Sequence, residues 1–155
     1  MNLFPVTDLR DNWRVVHDGD SVARELYHRH YSRYVYKDGR DPKKIVGPGE
    51  YIMLLTWDDK ALFVWRKFRS MDNQEGVNCA IFRNEGKKLS SGLILEAERY
   101  AWEKWPGESR LYTYVNPKKI RSKNPGGCFK KAGWMMCGLT KGGLHILEKR
   151  RLTCG

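Results

Sequence analysis

Acidic residues are nearly missing from one third of this chain. Between Ser109 and Gly155 only Glu148 opposes eleven Lys and Arg, a balance of +10, whereas the first 108 residues carry eighteen basic and seventeen acidic groups. Such an excess fits a nucleic-acid surface or a site for a phosphate-bearing cofactor. No apolar run approaches the roughly 18 residues of a membrane span. The start, Met1–Asp8, has no basic stretch before an apolar block, so no signal peptide is expected. The four cysteines (Cys79, Cys128, Cys137, Cys154) form no C-x-x-C pair, and the four histidines (His17, His28, His30, His145) have no zinc-finger spacing. They read as reduced, buried thiols in a cytoplasmic protein. Low-complexity tracts, linkers and internal repeats are absent as well, which leaves one domain over residues 1–155.

What is present suffices for a core. Of 155 residues, 41% are hydrophobic, including six Trp, eight Tyr and five Phe, so wholesale disorder is excluded. Trp13–Val16 reads as a short strand. A helix follows from about Asp20 to His28, with Asp20 or Ser21 able to accept the free N–H groups at its start. The stretch from Ser32 to Gly49 is polar, basic and broken by Gly39, Pro42, Gly47 and Pro48, and reads as a loop. Tyr51–Trp57 and Ala61–Trp65 flank the Asp58-Asp-Lys turn as a hairpin, and Val77–Phe82 is the next strand. Leu93, Ile94, Ala97, Tyr100, Ala101 and Trp105 recur at spacings of three and four, predicting a helix from about Ser90 to Lys104. Arg110–Val115 is rich in β-formers, Pro125–Lys131 reads as a short helix, and Trp134–Leu139 with Leu144–Leu147 as a second hairpin. The order β-α-ββ-β-α-β-α-ββ predicts an α/β (α+β) domain. Its centre is a mixed, mostly antiparallel sheet flanked by helices.

The loop from Arg83 to Gly92, Arg-Asn-Glu-Gly-Lys-Lys-Leu-Ser-Ser-Gly, joins a strand to a helix N-terminus. Free backbone N–H groups, small residues and two lysines suit a pyrophosphate there. This loop, the order of elements, and Asn124-Pro-Gly-Gly-Cys-Phe-Lys-Lys-Ala-Gly-Trp134 resemble the GNAT acyltransferase superfamily. More narrowly, Tyr27-His-Arg-His-Tyr-Ser32 with Asn124–Trp134 resembles the phage Mom branch, whose members modify adenines in DNA. The resemblance implies acetyl-CoA or another acyl donor lying where one strand splays from its neighbour. Ile81, Phe82, Arg83, Lys87, Lys88, Ser90, Ser91 and Gly92 would then bind it. Two features depart from the superfamily pattern. The pyrophosphate signature Arg/Gln-x-x-Gly-x-Gly/Ala is met only in its first half, and Phe129 occupies the place of a tyrosine that often protonates the departing thiolate.

Acyl transfer to an amine requires a neutral amine, a polarised thioester carbonyl and a tolerated thiolate. Backbone N–H groups around Ala80–Phe82 suit the carbonyl. His28 and His30 are the natural proton acceptors near neutral pH, with Tyr31 placed to hydrogen-bond the acceptor and Glu85 or Glu50 to assist. A metal on the two histidines is left open. For duplex DNA, the phosphate contacts would be Ser32, Arg33, Asn116, Lys118, Lys119, Arg121, Lys123, Asn124, Lys130 and Lys131, extended by Lys37, Arg40, Lys43 and Lys44. Tyr112, Tyr114 and Trp134 flank that run and could stack on a flipped base. The first expectation is therefore a phage- or prophage-type transferase that acylates adenine N6 in DNA, acting in a host cytoplasm. The alternatives are an acetyl-CoA-dependent N-acetyltransferase of a small amine or protein, and a non-catalytic DNA-binding or anti-restriction protein.

Overall fold

The computed structural model describes residues 11–30, 37–39, 43–119 and 124–152. The expected order of elements is the observed one. Strand β1 (Trp13–Val16) precedes helix α1 (Ser21–His28), then β2 (Glu50–Thr56), β3 (Ala61–Lys67) and β4 (Val77–Asn84). Helix α2 (Ser90–Lys104), β5 (Arg110–Val115), α3 (Gly127–Lys131), β6 (Met135–Leu139) and β7 (His145–Arg150) complete the domain. The seven strands form one mixed sheet in the order β1-β2-β3-β4-β5-β7-β6. Every neighbouring pair is antiparallel except β4 and β5.

Each face of the sheet buries its own helix. Ala23 and Leu26 of α1 pack on Val16, Met53, Leu55, Leu62, Val64 and Ile81. The alternate residues of the same strands, Trp13, Ile52, Leu54, Phe63 and Trp65, meet Leu93, Ile94, Ala97 and Ala101 of α2. Indole N–H groups pin α2 to the sheet: Trp13 donates to the Leu93 carbonyl at 2.9 Å, and Trp65 to the Ala97 carbonyl at 2.8 Å. Trp134 donates to the Glu98 carboxylate at 3.0 Å, and the Lys149 ammonium lies 2.7 Å from the same group. Burial raises the pKa of Glu98 despite these partners.

Short α3 depends on one glycine. Gly126, its N-cap, has φ +74°, and a Cβ there would lie 2.4 Å from the Leu147 Cδ1 atom. Phe129 of α3 is thereby brought against Phe82 and Trp134, in edge-on contacts at 6.0 and 4.9 Å.

Candidate functional site

The sheet opens between β4 and β5. Their parallel pairing covers only Val77–Leu111, Asn78–Tyr112 and Cys79–Thr113. On its other side β4 stays paired with β3 as far as Asn84, and β5 stays paired with β7 over its whole length. The last rung is clamped by the Thr113 hydroxyl, which donates to the Cys79 carbonyl at 2.9 Å. Immediately beyond it the β3–β4 register slips. Val64 faces Ile81 while Trp65 faces Cys79, so Ala80 is a bulge residue with no partner opposite. A bulge bends its strand and frees backbone groups from the ladder, and here it falls where β5 turns away.

The resulting cleft has a volume of about 490 Å³ and runs through the sheet. On the α2/α3 side its walls are mostly apolar, including Phe82, Val115, Gly126, Cys128 and Phe129. On the α1 side they are polar, with His30, Arg66, Asn78 and Tyr114. Strand alternation explains the division. Val77, Cys79 and Val115 belong to the α2-side core, so Asn78 and Tyr114 face the other way, and Arg66 stands directly opposite Asn78 in register. Burial raises the thiol pKa of both Cys79 and Cys128, so neither offers a thiolate at neutral pH. Cys128 is only partly buried and Cys137 is exposed, which corrects the expectation of buried thiols; Cys154 lies outside the described residues.

Next to the cleft, the β4–α2 loop folds into a turn organised by Asn84. Its amide donates to the Lys88 carbonyl at 2.8 Å and to the Ser90 hydroxyl at 3.0 Å, while its oxygen accepts from the Gly86 N–H at 3.0 Å. The lengthened loop thus ends cleanly at α2. No side chain caps that helix: its N-cap is Leu89, and its first turn carries no acid. The first helical bond is Leu93 N–H to the Leu89 carbonyl, so the N–H groups of Ser90, Ser91 and Gly92 have no intrahelical acceptor. In α1 the corresponding end is filled by Asp20, whose carboxylate accepts from the Ala23 N–H at 3.0 Å.

The other expected site residues divide sharply. His30 lines the cleft at 8% exposure, with Nε2 placed 3.1 Å from the Phe82 carbonyl. Burial, partly offset by that hydrogen bond and reinforced by the Arg83 charge, brings its pKa down to about 4. It is neutral at physiological pH and a weak base. His28 stands beside the Tyr27 ring, outside the cleft wall. Glu85 is engaged by two guanidiniums, Arg29 at 2.6 Å and Arg83 at 2.5 Å. The Arg29 hydrogen bond, opposed by burial and joined by Arg83, holds the Glu85 carboxyl at about 2. Arg83 also donates to the Arg29 carbonyl at 2.6 Å. This cluster ties the end of α1 to β4, and the structure gives Glu85 an anchoring position instead of a basic one. Glu50 begins β2 and lies outside the cleft wall.

Of the lysines expected at the cofactor loop, Lys88 bonds the Asn12 side chain, and Lys87 is exposed. Of the expected DNA contacts, Lys118, Lys119 and Lys131 are exposed, and Lys119 reaches the cleft. Lys130 donates to the Asn124 side-chain oxygen at 2.9 Å, and the Asn116 oxygen accepts from the Lys118 N–H at 3.0 Å. Tyr31, Ser32, Arg33, Arg40, Arg121 and Lys123 lie outside the described residues. The proposed stacking platform does not exist as expected: Tyr112 is fully buried, Trp134 is 2% exposed, and Tyr114 donates to Asp72 at 2.7 Å. Among the described residues no cluster of three or more His, Cys, Asp or Glu could hold a metal ion.

Sequence reasoning missed Arg66, Asn78, Asn84 and Thr113. The available signal was polarity inside apolar strands: Asn78 interrupts Val77-Asn-Cys-Ala-Ile, and Arg66 ends the run Ala61–Trp65.

No protein-family model matches the sequence, and no curated protein matches it by sequence. Solved structures do match in fold. The aminoglycoside acetyltransferase AAC(6')-Ib in complex with coenzyme A and kanamycin aligns over 90% of this chain and 94% of its own, at 14% identity and a TM-score of 0.61. A Bacillus subtilis acetyltransferase in complex with CoA aligns over 92% and 100%, at 16% identity and 0.60. The GNAT domain of S. lividans PAT aligns over 89% of each chain, at 14% identity and 0.58. The chain has the GNAT acetyltransferase fold. None of these three is described as a DNA-modifying enzyme. Among the described residues no helix is long and apolar enough to cross a membrane.

Proposed function

We propose that this protein is an acetyl-CoA-dependent N-acetyltransferase acting on a small amine. One observation carries the reading: the β4–β5 ladder ends at Cys79 beside a bulge, opening a through-sheet cleft next to an uncapped helix N-terminus. A pyrophosphate would bond the N–H groups of Ser90, Ser91 and Gly92 and meet the positive end of the α2 dipole. The pantetheine arm would then run along the open edge of β4, against Phe82 and Phe129. Coenzyme A in the B. subtilis structure and in the aminoglycoside enzyme supports this assignment by likeness of fold.

The chain's own groups set the chemistry. When bound, the thioester supplies an electrophilic carbonyl; backbone N–H groups of Ala80–Phe82 would polarise it as the amine attacks from the α1 side. Phe129 cannot protonate the leaving thiolate, and burial, by raising the pKa of both cleft thiols, makes them poor proton donors. Coenzyme A therefore leaves as the thiolate or takes a proton from water. His30, at about 4, is too weak to deprotonate an ammonium efficiently. The rate should follow the amine's own ionisation. Calorimetric titration with coenzyme A tests the reading, and micromolar affinity is expected. Absence of binding at millimolar coenzyme A would sink it.

A DNA base as acceptor is the second reading, favoured by exposed Lys118 and Lys131 and by Lys119 at the cleft. It requires DNA affinity that falls steeply with salt, together with an altered nucleoside in DNA from expressing cells.

A further inference from the structure

The polar end of the cleft contains a cation unmatched among the described residues. Arg66 is partly buried on β3, and its guanidinium lies over the Phe68 ring at 3.7 Å. Its Nε–H donates to the Pro48 carbonyl at 2.8 Å. No carboxylate among the described residues pairs with it, which leaves both terminal nitrogens for a bidentate partner. Buried Arg110 on β5 is by contrast matched to Glu148 at 2.6 Å.

Directly across the β3–β4 ladder stands Asn78, 6% exposed and on the cleft wall. Its Oδ1 is buried without a hydrogen-bond partner, and no protein group in the described residues bonds its amide. Burying an amide oxygen without a partner is unfavourable, so its place at the cleft points to a ligand. No Asp or Glu lines the cleft among the described residues, whereas a second cation, Lys119, does. Among the described residues lining the cleft, a polycationic amine would meet two cations and no carboxylate.

We infer that the acceptor is a small amine that carries its own anion, a carboxylate or a phosphate. The Arg66 guanidinium grips that anion bidentately, and the Asn78 amide turns into the cleft to bond the same ligand. The amine nitrogen is thereby directed toward the open edge of β4. This inference rests on the transferase reading and narrows its substrate class. It also separates this chain from the kanamycin-bound neighbour of the same fold.

The test uses the full chain, acetyl-CoA and paired amines with and without the anion, compared at equal free-amine concentration. Amino acids are compared with their amides, and glucosamine 6-phosphate with glucosamine; spermidine and kanamycin serve as polycations. The readout is free thiol release. At least one anionic member should exceed its neutral partner more than tenfold in kcat/KM, and whether carboxylates or phosphates do so identifies the anion. Arg66→Gln should collapse that ratio, the anionic kcat/KM falling at least tenfold further than the neutral one, with coenzyme A affinity kept. Arg66→Lys should restore part of it. Preference for the neutral amines or polycations, a ratio unchanged in Arg66→Gln, or acylation confined to duplex DNA would each overturn the inference. Calorimetry with glucosamine 6-phosphate alone separates the two proposals. Loss of coenzyme A binding defeats the transferase, whereas sugar-phosphate binding that Arg66→Gln leaves intact defeats the anion grip.

Discussion

Strand β4 is held differently along its two edges. Toward β3 it is paired from Asn78 to Asn84 apart from the Ala80 bulge, and the side chains behind that seam include Phe63, Val64 and Trp65, all fully buried. Toward β5 it has three paired residues, a threonine clamp and then a cleft. The same strand therefore serves as core on one side and as binding surface on the other. The difference shows how a sheet acquires a site with little loss of stability: the ladder ends where a bulge has already disturbed it.

The closed edge should carry most of the stability. Trp65→Ala removes an indole stacked on Trp134 at 6.2 Å and its hydrogen bond to the Ala97 carbonyl. A loss of about 3–5 kcal/mol is expected, read by urea unfolding, and residual folded protein should still bind coenzyme A. A cost below about 1 kcal/mol would show that the closed seam is not the stabilising one.

At the open edge the next largest effect depends on pH. His30 replaces a strand neighbour by reaching the Phe82 carbonyl, and it is buried and neutral with a pKa near 4. Its folded pKa lies below the unfolded value of about 6.5. Between those values the unfolded chain binds the extra proton, so stability rises with pH across that window and falls as pH drops from 6.5 toward 4. The full shift corresponds to about 3 kcal/mol. Glu85, also held low, adds its loss only below about pH 4.5, where the unfolded carboxyl takes up a proton that the folded one still refuses. His30→Asn should flatten the upper window alone, and an unchanged slope between pH 4 and 6.5 would remove His30 from the account.

How much of this was readable beforehand follows from the range of the forces involved. The ten elements were readable because strand alternation, the three-and-four spacing in α2 and the Asp20 cap are local. The splayed pair was available only through the resemblance, because it depends on β5 leaving β4 between residues more than thirty positions apart. Glu98 shows the limit of helical patterning. It sits on the buried face of α2, acceptable there only because Lys149 and Trp134 arrive from β7 and the start of β6. Glu85 and the histidines suggested acid–base chemistry by type, but partners distant in sequence, Arg29 for Glu85 and Phe82 for His30, gave Glu85 an anchoring position and left His30 a weak base. Arg66 and Asn78 gave a faint signal as polar breaks in apolar runs, and only their register made them neighbours.

The smallest expected change in stability separates function from fold at the same open edge. Helix α1 supplies its own N-terminal anion in Asp20, whereas α2 begins at Leu89 without one. Gly92 lies in the first turn of α2, and a Cβ there meets nothing within 4 Å. Gly92→Asp should therefore fit without strain, remove a glycine from a helix and place a carboxylate against the positive end of the dipole. Each effect stabilises, together by about 1 kcal/mol. The same carboxylate would stand where a pyrophosphate is proposed to bind. Coenzyme A affinity should fall at least tenfold while the melting temperature rises slightly. Affinity and stability moving in opposite directions would mean that the missing cap is reserved for a ligand. If both rise, or affinity holds while stability improves, the bare N-terminus of α2 is only an uncapped helix and the pyrophosphate must bind elsewhere.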